Sequence, residues 1–330
     1  MRVLVTGAAG FIGFHTAEAL LNRGDEVVGF DNLNSYYDPA LKEARLRLLE
    51  QHRGFTFVKG ALEDDETVRT LFERFKPERA IHLAAQAGVR HSIAQPRAYI
   101  QSNIAGFLNI LEGCRANGPE HLVFASSSSV YGLNAKLPFS EVDMTDSPTS
   151  LYGATKKSNE LMAHAYAHLY DIPMTGLRFF TAYGPWGRPD MAPFIFTKNV
   201  LEGRPIDVYN NGQHARDFTY ITDIVDGVVR VLDRTPSLPG GAREGQGPRF
   251  RIYNIGNSTP VPLLDFIAGI EKATGKIAIK NFMPLQQGDV LETYADIDSL
   301  AVDTGFRPAT PIEVGIPRLV SWYREYYRVP

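Results

Sequence analysis

Residues 2–14 read Arg-Val-Leu-Val-Thr-Gly-Ala-Ala-Gly-Phe-Ile-Gly-Phe, and this stretch decides the fold. The β-branched run Arg2 to Thr6 predicts a strand, and apolar residues at three-to-four spacing predict a helix from Phe14 to Asn22. Between them stand Gly7, Gly10 and Gly13. Gly7 allows a tight turn, Gly10 lets backbone approach a pyrophosphate, and Gly13 allows close packing of helix on strand. The helix start supplies free N–H groups and a positive dipole end to phosphate, so Phe11 and Ile12, inside this turn, join the candidate cofactor residues. Asp31 closes the next strand-like run, 18 residues after Gly13. Its carboxylate can accept both ribose hydroxyls of an adenosine and would repel a 2′-phosphate. Asn32, Leu33 and Asn34 offer no cation, so NAD is favoured over NADP, with Asn32 and Asn34 placed beside it.

Further along, "RVLVT", "EVVGF", "FTFVKG", "RAIHLAA", "HLVFAS" and "MTGLRFF" alternate with segments long enough for helices, among them Asp65 to Phe75, Ala98 to Ala116 and Tyr152 to Tyr170. That alternation predicts an α/β protein, a Rossmann-type doubly wound parallel sheet with helices on both faces. After Ala182 proline and glycine become frequent, helices are expected at Phe194 to Leu201 and Ile221 to Leu232, and "RIYNIG" (Arg251 to Gly256) is expected to return to the sheet. The division read from this is a cofactor domain of residues 1–182 plus 218–258, and a smaller α/β C-terminal substrate lobe of 183–217 plus 259–330.

Composition excludes several classes. The 330 residues carry a net charge of −3, with Lys and Arg scattered, so no nucleic-acid footprint is expected. Cys114 is the only cysteine, which rules out an intrachain disulfide and a cysteine-rich metal site. No other cluster has metal-ligand spacing, so no metal is expected. No apolar run reaches the roughly 18 residues of a membrane span, and a strand starting at Arg2 leaves no room for a signal peptide. The expectation is a cytoplasmic protein that does not enter a membrane.

The chemistry is expected at "SLYGATKKSNEL", which sets Tyr152 and Lys156 four residues apart on one helix face. A neighbouring ammonium stabilises a phenolate, so Tyr152 could take a proton from a substrate hydroxyl while Lys156 holds the cofactor's nicotinamide ribose. Tyr131 serves as an internal control, because its +4 residue is Ala135.

Together these motifs resemble the extended short-chain dehydrogenase/reductases, over essentially the whole chain. "HLAAQAG", "SNIAG" and "RDFTYITDI" look like that superfamily's nucleotide-sugar epimerases, and "DNLNSYYDP", "AAQAGVRHS" and "RFFTAYGPWGRPDMAPF" look like UDP-glucuronate 4-epimerases. The resemblance implies NAD-dependent epimerisation of UDP-glucuronate to UDP-galacturonate through a 4-keto intermediate. It further implies that Leu83, Ala84, Ala85, Asn103 and Phe179 lie at the cofactor. Thr181 would sit at the sugar's distal end, Arg216 at the diphosphate and Arg188 at the nucleotide sugar. Two positions depart from relatives. Ala61 stands where an Asp usually meets the adenine, leaving that task to backbone near Leu62, or to Glu63 or Asp64. Gln286 stands where many UDP-galactose epimerases have a phosphate-binding Arg.

The stretch "FASSSSVYG" separates the neighbouring activities. Sugar dehydratases carry an Asp-Glu pair in this strand-end loop and glucuronate decarboxylases a Glu, whereas here Ser128 and Ser129 are hydroxyls that can bind a carboxylate but cannot act as strong acids or bases. Ser127 is the first candidate to bond the reacting sugar oxygen and Ser129 the second. Arg90 either caps the substrate or decorates a helix start; His82 and His91 are read as structural, and "WYREYY" as lobe packing. The alternatives are a 4-epimerase of neutral UDP-sugars, a UDP-glucuronate decarboxylase and, outside enzymes, an NAD-sensing scaffold. Helices near Ala98 to Ala116 and Tyr152 to Tyr170 resemble the pair that makes a homodimer in this superfamily.

Overall fold

The computed structural model describes residues 1–237, 247–285 and 290–330. Strands β1 (Arg2–Thr6), β2 (Glu26–Asp31), β3 (Phe55–Lys59), β4 (Arg79–His82), β5 (His121–Ser127) and β6 (Met174–Phe179) follow the expected order. Then β7 (Thr181–Tyr183), β8 (Ile206–Val208) and β9 (Ala215–Tyr220) leave the sheet before β10 (Phe250–Ile255) returns to its edge. The seven strands lie in the order β10-β6-β5-β4-β1-β2-β3, every pair parallel. Because the chain winds outward from β1 to β3 and then crosses back to β4, the strand order reverses beside β1. In open α/β sheets the crevice outside the carboxyl ends at such a reversal is where ligands bind.

Burial explains the strands. Val3, Val5, Ile81, Val123, Phe124 and Leu177 are fully buried, as expected for a parallel sheet covered on both faces. The first helix runs Phe11–Arg23 and begins three residues before the apolar periodicity does, because Gly10 in extended conformation starts it. Gly13 cannot be replaced there: a Cβ would lie 2.0 Å from the Gly7 carbonyl oxygen. The expected helix at Ala98 to Ala116 starts earlier, with Pro96–Tyr99, passes through a π-helical stretch at Ile100–Ala105, and continues as Gly106–Asn117. The π-helical stretch carries Asn103, which faces inward. A helix at Pro39–Leu49 was not expected from periodicity. Its signal is local, with Asp38 accepting from the Ala40 N–H at 2.9 Å and Pro39 in the first helical position.

The C-terminal lobe adds β11 (Pro260–Pro262), β12 (Lys280–Phe282) and β13 (Glu292–Thr293). There β11 and β13 flank β9, which also pairs with β7, and β12 pairs with β8. The β9 strand crosses the expected boundary at 217/218. Its Asp217 carboxylate accepts N–H groups of Asn257, Ser258 and Ala295, tying the end of the returning strand β10 to the lobe. The C-terminal aromatics pack as expected, with Trp322 on Trp186 and Tyr323 on Phe194 at ring separations of 5.3 Å.

Candidate functional site

At the carboxyl ends of the strands lies a cavity of about 890 Å³. One end is built by the glycine turn. Gly7, at φ +72°, donates to the Phe30 carbonyl at 2.7 Å, and Gly10 donates to the Gly7 carbonyl at 2.8 Å. A Cβ at Gly7 would come within 2.7 Å of the Ala84 nitrogen, so the turn sits hard against the chain leaving β4. The first helical hydrogen bond runs from Phe14 to Gly10, so the N–H groups of Phe11, Ile12 and Gly13 have no acceptor within the helix. Those three residues line the cavity. This cradle and the cavity's size fit a dinucleotide pyrophosphate.

Asp31 lies beside the turn, its two oxygens accepting the N–H groups of Ala9 at 3.2 Å and Leu33 at 2.8 Å. Asn32 and Asn34 line the same wall, and Leu83, Ala84 and Ala85 line the next one. Three residues weighed for the cofactor, Ala61, Asp64 and Asn103, do not line the cavity. Ala61 is not on the wall, whereas Gly60, Leu62 and Glu63 are. Asp64 is spent capping a helix, accepting from Thr67 N and Oγ1 at 3.1 and 2.6 Å. Of the residues weighed for the adenine, Leu62 and Glu63 are therefore the ones on the cavity wall. Asn103 stands behind the wall, buried, bonding Gln86 N and O and Thr155 Oγ1 within 3.1 Å. Its polar atoms brace residues 86 and 155 because the π-helical stretch turns it into the protein.

At the other end, Ser150 caps the helix Leu151–Tyr170 and brings Tyr152 and Lys156 to the cavity. Lys156 Nζ donates to the Ala125 carbonyl at 2.9 Å, and burial draws its pKa down to about 8. Burial raises the Tyr152 phenol above its ordinary value, opposed by hydrogen bonding with Ser127 and by the charge of Arg188. Spacing alone predicted a lowered phenol with Lys156 as the cause. In the folded chain the ammonium is committed to a backbone carbonyl, and desolvation outweighs the remaining electrostatics.

The four serines divide. Ser126 borders the cavity too, but its hydroxyl is committed, donating to the buried Glu160 Oε1 at 2.6 Å. Ser127 accepts from Ser129 N at 3.2 Å, and its hydroxyl lies 3.2 Å from that of Ser129. Ser127, Ser128 and Ser129 all line the cavity with Phe179 and Thr181. The control tyrosine, Tyr131, donates to Asn254 Oδ1 at 2.6 Å and accepts from Arg178 at 3.1 Å. Its hydroxyl is spent on structure.

Arg90, Arg188 and Arg216 also line the cavity. Arg188 makes a two-point contact with Asp190 at 3.1 and 2.5 Å, and Tyr36 donates to the same carboxylate at 3.0 Å. Burial alone would raise Asp190, but Arg188 and Tyr36 hold it below the ordinary carboxylate value. Arg216 donates to the carbonyls of Val290 and Leu291 at 2.6 and 3.0 Å. The Arg90 guanidinium lies over the Tyr209 ring at 4.9 Å. Gln286 falls outside the described residues. Tyr36, Lys42 and Asp190 are cavity residues that the sequence reading missed. The Asp38-Pro39 helix start was the available signal for Lys42. His82, 2.9 Å from Thr6 Oγ1, is driven to about 3 by burial and by Lys156, so it is structural and neutral. Among the described residues no group of His, Cys, Asp or Glu could hold a metal, and no helix is long and apolar enough to cross a membrane.

Residues 3–256 match the model of the "NAD dependent epimerase/dehydratase family". The chain is 50% identical to a probable UDP-glucuronate 4-epimerase of Rhizobium meliloti (strain 1021), over 99% of this chain and 98% of that one. Among solved structures it is similar to UDP-glucuronic acid 4-epimerase from Bacillus cereus in complex with UDP-glucuronic acid and NAD, with a TM-score of 0.89, 33% identity, and 99% and 100% of the two chains covered. UDP-glucose 4-epimerase from Thermotoga maritima with UDP-glucose has a TM-score of 0.88, 29% identity, and coverage of 99% and 100%. The backbone thus fits both sugar classes about equally, and side chains must choose between them.

Proposed function

We propose, from the premise that this chain belongs to the NAD dependent epimerase/dehydratase family, that it interconverts UDP-glucuronate and UDP-galacturonate by inverting C4. The observation that carries this reading is one cavity wall. There Tyr152 and Lys156 meet Ser127, Ser128, Ser129 and Thr181, so the loop beside the catalytic pair presents hydroxyls and no carboxylate. Hydroxyls can bind the acidic sugar without supplying the acid or base that would divert a keto intermediate.

NAD would be held by Gly7, Gly10, Phe11, Ile12 and Gly13, by Asp31, Asn32, Asn34 and Leu62, and by Leu83 to Ala85 and Phe179, and when bound would supply the oxidant and then the reductant for C4. Tyr152 takes the proton from the C4 hydroxyl and returns it. Ser127, which lines the cavity with Tyr152, holds the same oxygen. Lys156, fixed by the Ala125 carbonyl, offers its remaining donors to the ribose. Ser128, Ser129 and Thr181 bind the sugar's carboxylate, and Arg90, Arg188 and Arg216 balance the diphosphate and the acid. Residues 1–182 plus 218–258 would carry NAD, and 183–217 plus 259–330 the nucleotide sugar, with β9 crossing between them.

A homodimer is part of the proposal. Ile100 and Leu108 on one helix and Leu161 and Leu169 on its neighbour are exposed, an apolar surface suited to a second copy. The sole cysteine, Cys114, is buried and its thiol pushed up by burial, consistent with work in the cytoplasm.

The test is incubation of the purified chain with UDP-glucuronate and no added cofactor. UDP-galacturonate should appear with no net change in cofactor redox state. A UDP-pentose and CO₂ would replace this reading with decarboxylation, and turnover of UDP-glucose alone would replace it with a neutral-sugar epimerase.

A further inference from the structure

The sequence next to Asp31 shows no cation, but the fold brings one there. The helix Pro39–Leu49 turns Lys42 back toward the strand end, where Nζ donates to the Asn34 carbonyl at 2.8 Å and to Asn34 Oδ1 at 2.7 Å. The side chain lines the same cavity as Asp31, Asn32 and Asn34. An ammonium has three donors, and Asn34 uses two. Burial lowers its pKa, and of the charges acting on it Asp31 favours the ammonium while Arg45 and Arg188 oppose it. Arg45 is committed elsewhere, to the carbonyls of Ala9 and Trp186 and to the Tyr37 hydroxyl. Glu63 is a further carboxylate on the cavity wall.

We infer that Lys42 is a ready-made partner for a 2′-phosphate, kept unused by Asp31, so that the preference for NAD rests on the Asp31 carboxylate and not on any lack of positive charge nearby. This rests on reading the Asp31 end of the cavity as the adenosine site. With Asp31 ionised, a phosphate dianion on the ribose meets a carboxylate where the ribose hydroxyls should dock, and the two like charges repel. With that charge removed, the third donor of Lys42 and the absence of a competing acid at positions 32–34 leave a cationic site. Asp31→Asn is the informative change, because it removes the charge at nearly constant shape: the amide oxygen can still accept the Leu33 N–H, and only the longer bond, from the Ala9 N–H, is lost.

The experiment measures binding of NADP and NAD by displacement of NADH fluorescence, independently of epimerase turnover, so its failure would leave the C4 reading standing. Asp31→Asn should raise NADP affinity at least tenfold, and adding Lys42→Met should return it to within threefold of the native chain. A smaller gain, or one that survives Lys42→Met, overturns the inference. Should Asp31→Asn fail to fold, Asp31→Ser takes its place in the same two-step comparison with the same thresholds, and Lys42→Met in the native chain should leave the ratio of the NADP to the NAD dissociation constant within about threefold; a larger change means that Lys42 is already in use beside Asp31 and overturns the inference.

Discussion

Two arginine–carboxylate pairs share a two-point geometry, and their surroundings give them different work. Arg178 on β6 meets Glu160 at 2.8 and 2.9 Å, while Glu160 also accepts from Ser126 and Arg178 donates to Tyr131. Both side chains are 4–5% exposed. Arg188 meets Asp190 with the same two-point geometry, but these side chains are 22% and 25% exposed and face the cavity. The first pair is bonded on every side by protein, and its partners Ser126 and Tyr131 bracket Ser127 to Val130, which aims the serines. The second keeps surface free for a ligand. Ion-pair geometry alone therefore does not mark a working site; the accessibility of the pair does.

The largest expected effect comes from breaking the enclosed pair. Glu160→Gln leaves the Arg178 guanidinium buried without its counter-charge, which costs on the order of 3–5 kcal/mol. Urea unfolding at pH 7 should show that loss; a loss under about 1 kcal/mol would remove the distinction between the pairs. Lys156 extends the comparison to a buried cation that donates to the Ala125 carbonyl and has no carboxylate against it. Its folded pKa of about 8 lies below the ordinary 10.5. The unfolded chain therefore binds more protons between pH 8 and 10.5, and native stability rises with pH across that window. Below pH 8 the full penalty applies, at most about 3 kcal/mol. Lys156→Met should accordingly be more stable than the native chain at pH 7 and inactive as an epimerase, with the stability difference shrinking toward zero above pH 10.5. A difference independent of pH would mean that Lys156 is not desolvated.

What the sequence made legible follows the same division. The turn at Gly7 to Gly13, Asp31, and the Tyr152–Lys156 pair were readable because each depends on neighbours within a few residues and on backbone geometry that few residue types allow. The parallel sheet followed from alternation, and the return of β10 to it from the β-branched pattern of its residues. Contacts between distant segments were not readable. Nothing at Asn103 tells that a π-helical stretch turns it away from the cavity, and nothing at Tyr36 tells that it reaches Asp190, 154 residues on. The phenol's direction of shift was misread for a related reason: spacing gives proximity to Lys156, whereas burial and the Ala125 carbonyl belong to the assembled fold.

The open pair gives the smallest effect in stability and the most informative one in kinetics. Asp190→Asn keeps the shape of the side chain and removes its charge. Because the pair is partly solvated, little stability should be lost, within about 1 kcal/mol by urea unfolding. Arg188 is then no longer neutralised by its neighbour, and the cavity loses a carboxylate that repels an acidic sugar nucleotide. KM for UDP-glucuronate should fall about three- to tenfold, and the fall should weaken as salt is raised. Tyr36→Phe removes the hydroxyl that Asp190 accepts and leaves the ion pair intact, so its KM should move less than that of Asp190→Asn. If Asp190→Asn instead destabilised the chain as much as Glu160→Gln, the cavity pair would be scaffold like the other, and Arg188 would have no charge to offer a substrate.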